Sequence, residues 1–127
     1  MAQIPPHLQN QIRKFQELQQ KAELLGRQQM QLERELNDTE RALTELDQLD
    51  QNAVVYKTIG AILVKSNKDK LKEELNDRKE TLDMRIQTIK RQEERTKSEL
   101  EEKQKEIQAA LQQPKMGDFG GGFPGPM

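Results

Sequence analysis

A chain of 127 residues with 32% hydrophobic and 3% aromatic content carries too little apolar surface for an ordinary globular core. Its mean hydropathy of −1.03 and 34% charged residues match a coiled coil or long helix instead. The 21 basic and 22 acidic residues interleave to a net charge of −1, which argues against the one-signed field that nucleic acid or an anionic membrane selects.

The first element opens at Pro5-Pro6, where a missing N–H costs a helix nothing. From Leu8 to about Asp50 there is no further proline and a single glycine, Gly26. Apolar residues follow a heptad. Leu8, Phe15, Ala22, Gln29, Leu36 and Leu43 hold one seam position, and Gln11, Leu18, Leu25, Leu32, Thr39 and Leu46 the other; nine of the twelve are apolar, with Ile12 on the flank. About 43 residues at 1.5 Å each predict an arm of roughly 65 Å.

Val54 to Lys65 is the only stretch that reads as β structure, because Val, Ile, Tyr and Thr crowd into it. Gly60-Ala61 supplies a two-residue turn with Gly at the first central position, the one that needs positive φ in a type II′ hairpin. The turn pairs Ile59 with Ile62, Thr58 with Leu63 and Lys57 with Val64. One face then carries Val55, Ile59, Ile62 and Val64, and the other carries Val54, Tyr56 and Leu63. A lone two-stranded hairpin with two apolar faces is marginal in water and needs partners.

Ser66-Asn67-Lys68-Asp69 reads as a helix start, with a capping side chain and an acid three residues after Ser66. The second arm runs to about Gln113, before Pro114. Its seam alternates Leu75, Leu82, Ile89, Thr96, Lys103 and Ala110 with Lys72, Lys79, Ile86, Glu93, Leu100 and Ile107; seven of the twelve are apolar. Pairs such as Glu74–Arg78, Glu93–Lys97 and Glu101–Lys105 support the solvated face. Folding the chain about the turn makes the arms antiparallel. Leu43 comes near Leu75, Leu36 near Leu82, and Leu32 near Ile86 and Ile89, but Leu25 meets Glu93, Ala22 meets Thr96 and Phe15 meets Lys103. Apolar cover thus thins away from the hairpin.

The predicted fold is mainly α: a long antiparallel two-helix coiled coil joined by a central β-hairpin. Residues 1–113 form one coiled-coil domain, with a helix over about 6–51, the hairpin over about 53–66 and a helix over about 68–113. Residues 114–127 are a Gly/Pro/Phe tail expected to be disordered. Chemistry is sparse. His7 is the only histidine and there is no cysteine, so metal clusters and His- or Cys-based catalysis lack their parts. No phosphate-cradling G-x-x-x-x-G-K-[ST] loop occurs. No catalytic residue, metal ligand or cofactor is expected, and the chain is not expected to be an enzyme. Met1-Ala2-Gln3-Ile4 does not begin a signal peptide and no apolar run approaches a bilayer span, so a cytoplasmic protein without membrane or nucleic-acid partners is expected.

Helix–hairpin–helix with equal arms resembles a prefoldin β-type subunit of the archaeal kind. Val55-Tyr56-Lys57, Ile59-Gly60 and Ile62-Leu63-Val64-Lys65 carry the resemblance, with Lys68-Asp69 through Glu74-Leu75, Gln92-Glu93-Glu94-Arg95 and, in the first arm, Phe15-Gln16-Glu17-Leu18-Gln19-Gln20. It covers roughly residues 5–112, and a single hairpin matches the β type rather than the two-hairpin α type. The resemblance implies a hexamer of two α-type and four β-type subunits whose hairpins close into intersubunit β-barrels. It implies an ATP-independent chaperone, a holdase that captures unfolded proteins at the coiled-coil tips, prevents their aggregation and passes them to a group II chaperonin. Ile4, Leu8, Ile12, Phe15, Leu100, Ile107, Ala110 and Leu111 map onto the client-binding tips. Val54, Val55, Tyr56, Ile59, Gly60, Ile62, Leu63 and Val64 map onto subunit assembly. The competing reading of the same residues is a structural coiled-coil adaptor that holds specific folded partners; an RNA-binding arm would want a basic stripe that the interleaved charges do not provide.

Overall fold

The computed structural model describes residues 4–112. The elements run α1 (Pro6–Asp47), β1 (Val55–Ile59), β2 (Ile62–Ser66) and α2 (Lys68–Gln112). The chain is mainly α, with two long helices and a central antiparallel hairpin between them, as the sequence pattern predicts. The expected disordered tail lies outside the described residues.

Each boundary has a local cause. Pro6 is the first residue of α1, and the Gln9 N–H donates to the Pro5 carbonyl at 2.9 Å to close the first turn. The heptad pattern carries this helix to about residue 51, yet it ends at Asp47. There the N–H groups of Gln48 and Leu49 turn to carbonyls only three residues back, on Glu45 and Leu46, and tighten the last turn. Lys68 then reaches across, donating from Nζ to the carbonyls of Leu49 (2.9 Å) and Asp47 (3.4 Å) that the ended helix leaves without partners. At the start of α2 the cap is Asn67 rather than Ser66. Asn67 Oδ1 accepts from the Lys70 N–H at 2.8 Å, while Asp69 is engaged by the Gln51 amide at 2.8 Å instead of closing a capping box. Ser66 closes β2, and its buried hydroxyl finds no partner among the described residues.

The hairpin has the predicted register: Ile59 opposite Ile62, Thr58 opposite Leu63 and Lys57 opposite Val64, extended by Tyr56 with Lys65 and Val55 with Ser66. Gly60 sits at φ +57° and Ala61 does not share a positive φ, which selects the type II′ turn over type I′.

The described residues fall into two compact units, one over Leu25–Gln92 and the other made of the residues before 25 and after 92. In the first, every α1 seam position from Leu25 to Leu46 is buried or half-buried, and so are Leu75, Lys79, Leu82, Ile86 and Ile89 on α2; only Lys72 is exposed, held by Asp47 at 3.0 Å. Lys79–Glu40 (3.6 Å) and Arg78–Glu35 (3.1 Å) bridge the two helices beside the seam. Such solvated pairs contribute about 0–1 kcal/mol each, so the seam holds the unit and the pairs help set its register. In the second unit Leu8, Gln11, Phe15, Leu18 and Ala22 on α1 are buried or half-buried, as are Glu93, Thr96, Leu100, Lys103 and Ile107 on α2. Its polar seam residues differ in how they are satisfied. Lys103 Nζ donates to Gln11 Oε1 at 2.9 Å across the helices and lies 3.4 Å from Glu106. Thr96, with no exposed surface, has a hydroxyl without a hydrogen-bond partner among the described residues.

Candidate functional site

The hairpin presents two unequal faces. Val55, Lys57, Ile59, Ile62, Val64 and Ser66 share one face by register. At the base of this face Val55 is buried, and Lys57, Val64 and Ser66 are half-buried. Lys57 Nζ donates to both carboxylate oxygens of Glu74 at 3.1 Å, which ties the face to the first turns of α2. Ile59 and Ile62, beside the turn, lie beyond this cover and are exposed. The opposite face is largely uncovered among the described residues: Tyr56 is 58% and Leu63 71% exposed, with Thr58 and Lys65 beside them, and Val54 is exposed where the chain enters the strand. Each strand pairs only with the other among the described residues, so each keeps one edge of unpaired N–H and C=O groups. Of the eight residues assigned to assembly, the structure exposes six and covers two, Val55 and Val64, to different degrees.

The eight residues mapped to the tips all fall in the other unit, the first four on or just before α1 and the last four on α2. They are not equally available. Leu8 is only 7% exposed and belongs to the seam. Ile12, Phe15, Leu100 and Ile107 are half-buried, because the polar residues interleaved with them leave part of each side chain bare. Ile4 (46% exposed) and Leu111 (64% exposed) stand open with Ala110. Ile4 is tied down through its backbone, its carbonyl accepting from the Gln9 side-chain amide at 2.9 Å.

Sequence reasoning passed over one feature of the Leu25–Gln92 unit. A groove of about 570 Å³ opens there between the helices, with Gln28, Leu32, Glu35, Met84, Arg85 and Ile89 among its lining residues. Met84 and, elsewhere on the unit, Met30 are both more than half exposed. The available signal was a methionine standing off the heptad between the seam residues Leu82 and Ile86. Among the described residues no cluster of three or more His, Cys, Asp or Glu is placed to hold a metal ion, and no helix is long and apolar enough to cross a membrane.

The Prefoldin subunit family matches residues 9–114 of this chain. The chain is similar to the prefoldin subunit beta of Methanosarcina acetivorans, with 40% identity over 110 residues that cover 87% of this chain and 94% of the relative. It is equally similar to the prefoldin subunit beta of Archaeoglobus fulgidus, with 41% identity over 111 residues, 87% of this chain and 96% of that one. The crystal structure of the prefoldin beta subunit from Thermococcus strain KS-1 superposes with a TM-score of 0.80 at 38% identity, covering 90% of this chain and all of that one.

Proposed function

The chain belongs to the prefoldin family, and on that premise we propose that it is a β-type subunit of an ATP-independent chaperone complex. The complex holds non-native proteins and hands them to a group II chaperonin; this chain performs no catalysis and works in the cytoplasm. The reading takes the assembly as a hexamer of two α-type and four β-type subunits, with hairpins joined edge to edge into barrels. Closing a barrel satisfies the two open strand edges and covers the bare Tyr56–Leu63 face together.

The observation that carries the proposal is the division of apolar surface. The hairpin's open face lies in one unit, while Ile4 and Leu111, with half-buried Ile12, Phe15, Leu100 and Ile107, lie in the other. The hairpin's apolar face borders two unpaired strand edges, which suits a permanent interface. The apolar side chains of the other unit, bared to different degrees and separated by charges, suit weak contact with many unfolded segments, and several such ends acting on one client multiply the affinity.

Two sets of substitutions test the division. Ile4→Ser, Ile12→Ser and Leu111→Ser together should abolish suppression of aggregation of a denatured protein while the assembly mass, read by light scattering, stays that of the wild type. Undiminished suppression by this assembled variant would remove the client assignment. Tyr56→Lys with Leu63→Lys should block assembly, and a normal assembly mass would refute the hairpin's role. Selective retention of folded proteins, with no effect on denatured ones, would favour the adaptor reading instead.

A further inference from the structure

We propose that the segment Met116-Gly-Asp-Phe-Gly-Gly-Gly-Phe123 is a tethered competitor for the client surface of its own chain, occupying it until a non-native protein displaces it. The inference rests on the client surface assigned under the proposed function.

Composition singles the segment out. The chain has four aromatic residues; two of them, Phe119 and Phe123, stand here, and a third, Phe15, lies in the surface the segment would cover. The family match ends at residue 114, before Phe119 and Phe123. The segment holds one charge, Asp118, against two Phe and one Met. It has the chemistry of a client: apolar groups spaced along a chain with little charge.

The number of residues after Gln112 gives the occupant enough reach to meet the site. α2 ends at Gln112, and Leu111 immediately before it is bare, as is Ile4 in the same unit. Phe119 follows Gln112 by seven residues, which span at most about 25 Å when extended. From Leu100 to Gln112 the helix is about 18 Å long. Phe119 can therefore reach back over all of this stretch, and Phe123 has still more chain to do so. Tethering of this length raises the local concentration of the segment to the millimolar range. A contact of only a few tenths of a millimolar would then weaken the apparent affinity for a client by about 3–10-fold.

The test uses the complex assembled with its α-type partner and a fluorescein-labelled, reduced and carboxymethylated α-lactalbumin as a permanently unfolded probe, followed by anisotropy. Phe119→Ser with Phe123→Ser, and separately a chain ending at Gln113, should each bind the probe about 3–10-fold more tightly than the wild type. A synthetic peptide of residues 113–127 should compete for the probe on the shortened chain. Unchanged or weakened binding in the tail variants, with wild-type binding that Ile4→Ser and Leu111→Ser reduce, overturns the competitor while leaving the client surface standing. Absence of probe binding in every form overturns both. A photo-crosslinking benzoylphenylalanine at position 119 should join peptides covering residues 4–15 or 100–112 of the same chain. No cross-link there, or links only to another copy, overturns the intramolecular contact.

Discussion

Thr96 and Thr39 occupy seam positions on the two helices, both almost without exposed surface, and the same substitution should act on them in opposite directions. The Thr39 hydroxyl donates to the Glu35 carbonyl at 2.8 Å, whereas the Thr96 hydroxyl has no partner. Valine keeps the β-branch and nearly the same helix propensity, so the comparison isolates the hydroxyl. At position 96 a buried polar group left without a hydrogen bond costs about 1–3 kcal/mol, and exchanging it for a methyl removes that cost. Thr96→Val should therefore stabilise by about 1–2 kcal/mol. At position 39 the substitution gives up a bond worth about 0.5–1.5 kcal/mol net and gains about 0.8 kcal/mol from the methyl, so it should be neutral or mildly destabilising. For a chain of this size 1 kcal/mol moves the melting midpoint by about 3–6 °C. Thermal melts followed by circular dichroism, at equal subunit concentration because assembly shifts the midpoint, should place Thr96→Val several degrees above wild type and Thr39→Val at or below it. A lower midpoint for Thr96→Val, or equal gains at both sites, would refute the assignment of an unsatisfied hydroxyl at residue 96.

Three further outcomes follow from the packing. Gly60→Ala should weaken the hairpin by about 1–2 kcal/mol, a cost of the left-handed backbone alone because no atom lies within 4 Å of the added methyl; unchanged hydrogen-exchange protection of the strand amides would contradict it. Leu82→Ala, at a position only 2% exposed, should cost about 2–5 kcal/mol in a denaturant melt, and a loss under about 1 kcal/mol would mean that the seam does not hold this unit. Glu74→Gln should cost no more than about 0.2–1 kcal/mol, since both ends of its pair with Lys57 are partly solvated; the difference from wild type should shrink in high salt, and a large salt-insensitive loss would show the pair to be more than a surface contact.

The hairpin was the most legible part of the chain. A two-residue Gly-Ala turn between β-formers sets one register, and the observed ladder is that register. The heptads were legible even at polar positions: Gln29, Thr39, Lys79 and Thr96 sit in the seam because the helical period puts them there, whatever their polarity. What the period cannot express is how a polar seam residue is satisfied. Spacing set Lys103 opposite Phe15, but the length of the lysine side chain lets its ammonium reach the Gln11 amide oxygen. The choice of Asn67 over Ser66 as cap depended on where β2 released the chain, a tertiary matter that two adjacent capping residues leave open. The uneven cover of the proposed client residues follows the same period: Leu8, on the seam, is buried, and Leu111, off it, is bare.

With one open edge on β1 and another on β2, each copy of this chain is a monomer of valence two in the polymer sense. Addition of such units ends only when a ring closes or when a partner presents an edge that the next copy does not fit. Stoichiometry then becomes a control variable. In the proposed assembly, a partner with a different edge would act as a chain stopper, and its ratio to this chain would set the size at which growth halts. An excess of this chain would then leave hairpin edges without the partner that stops their growth.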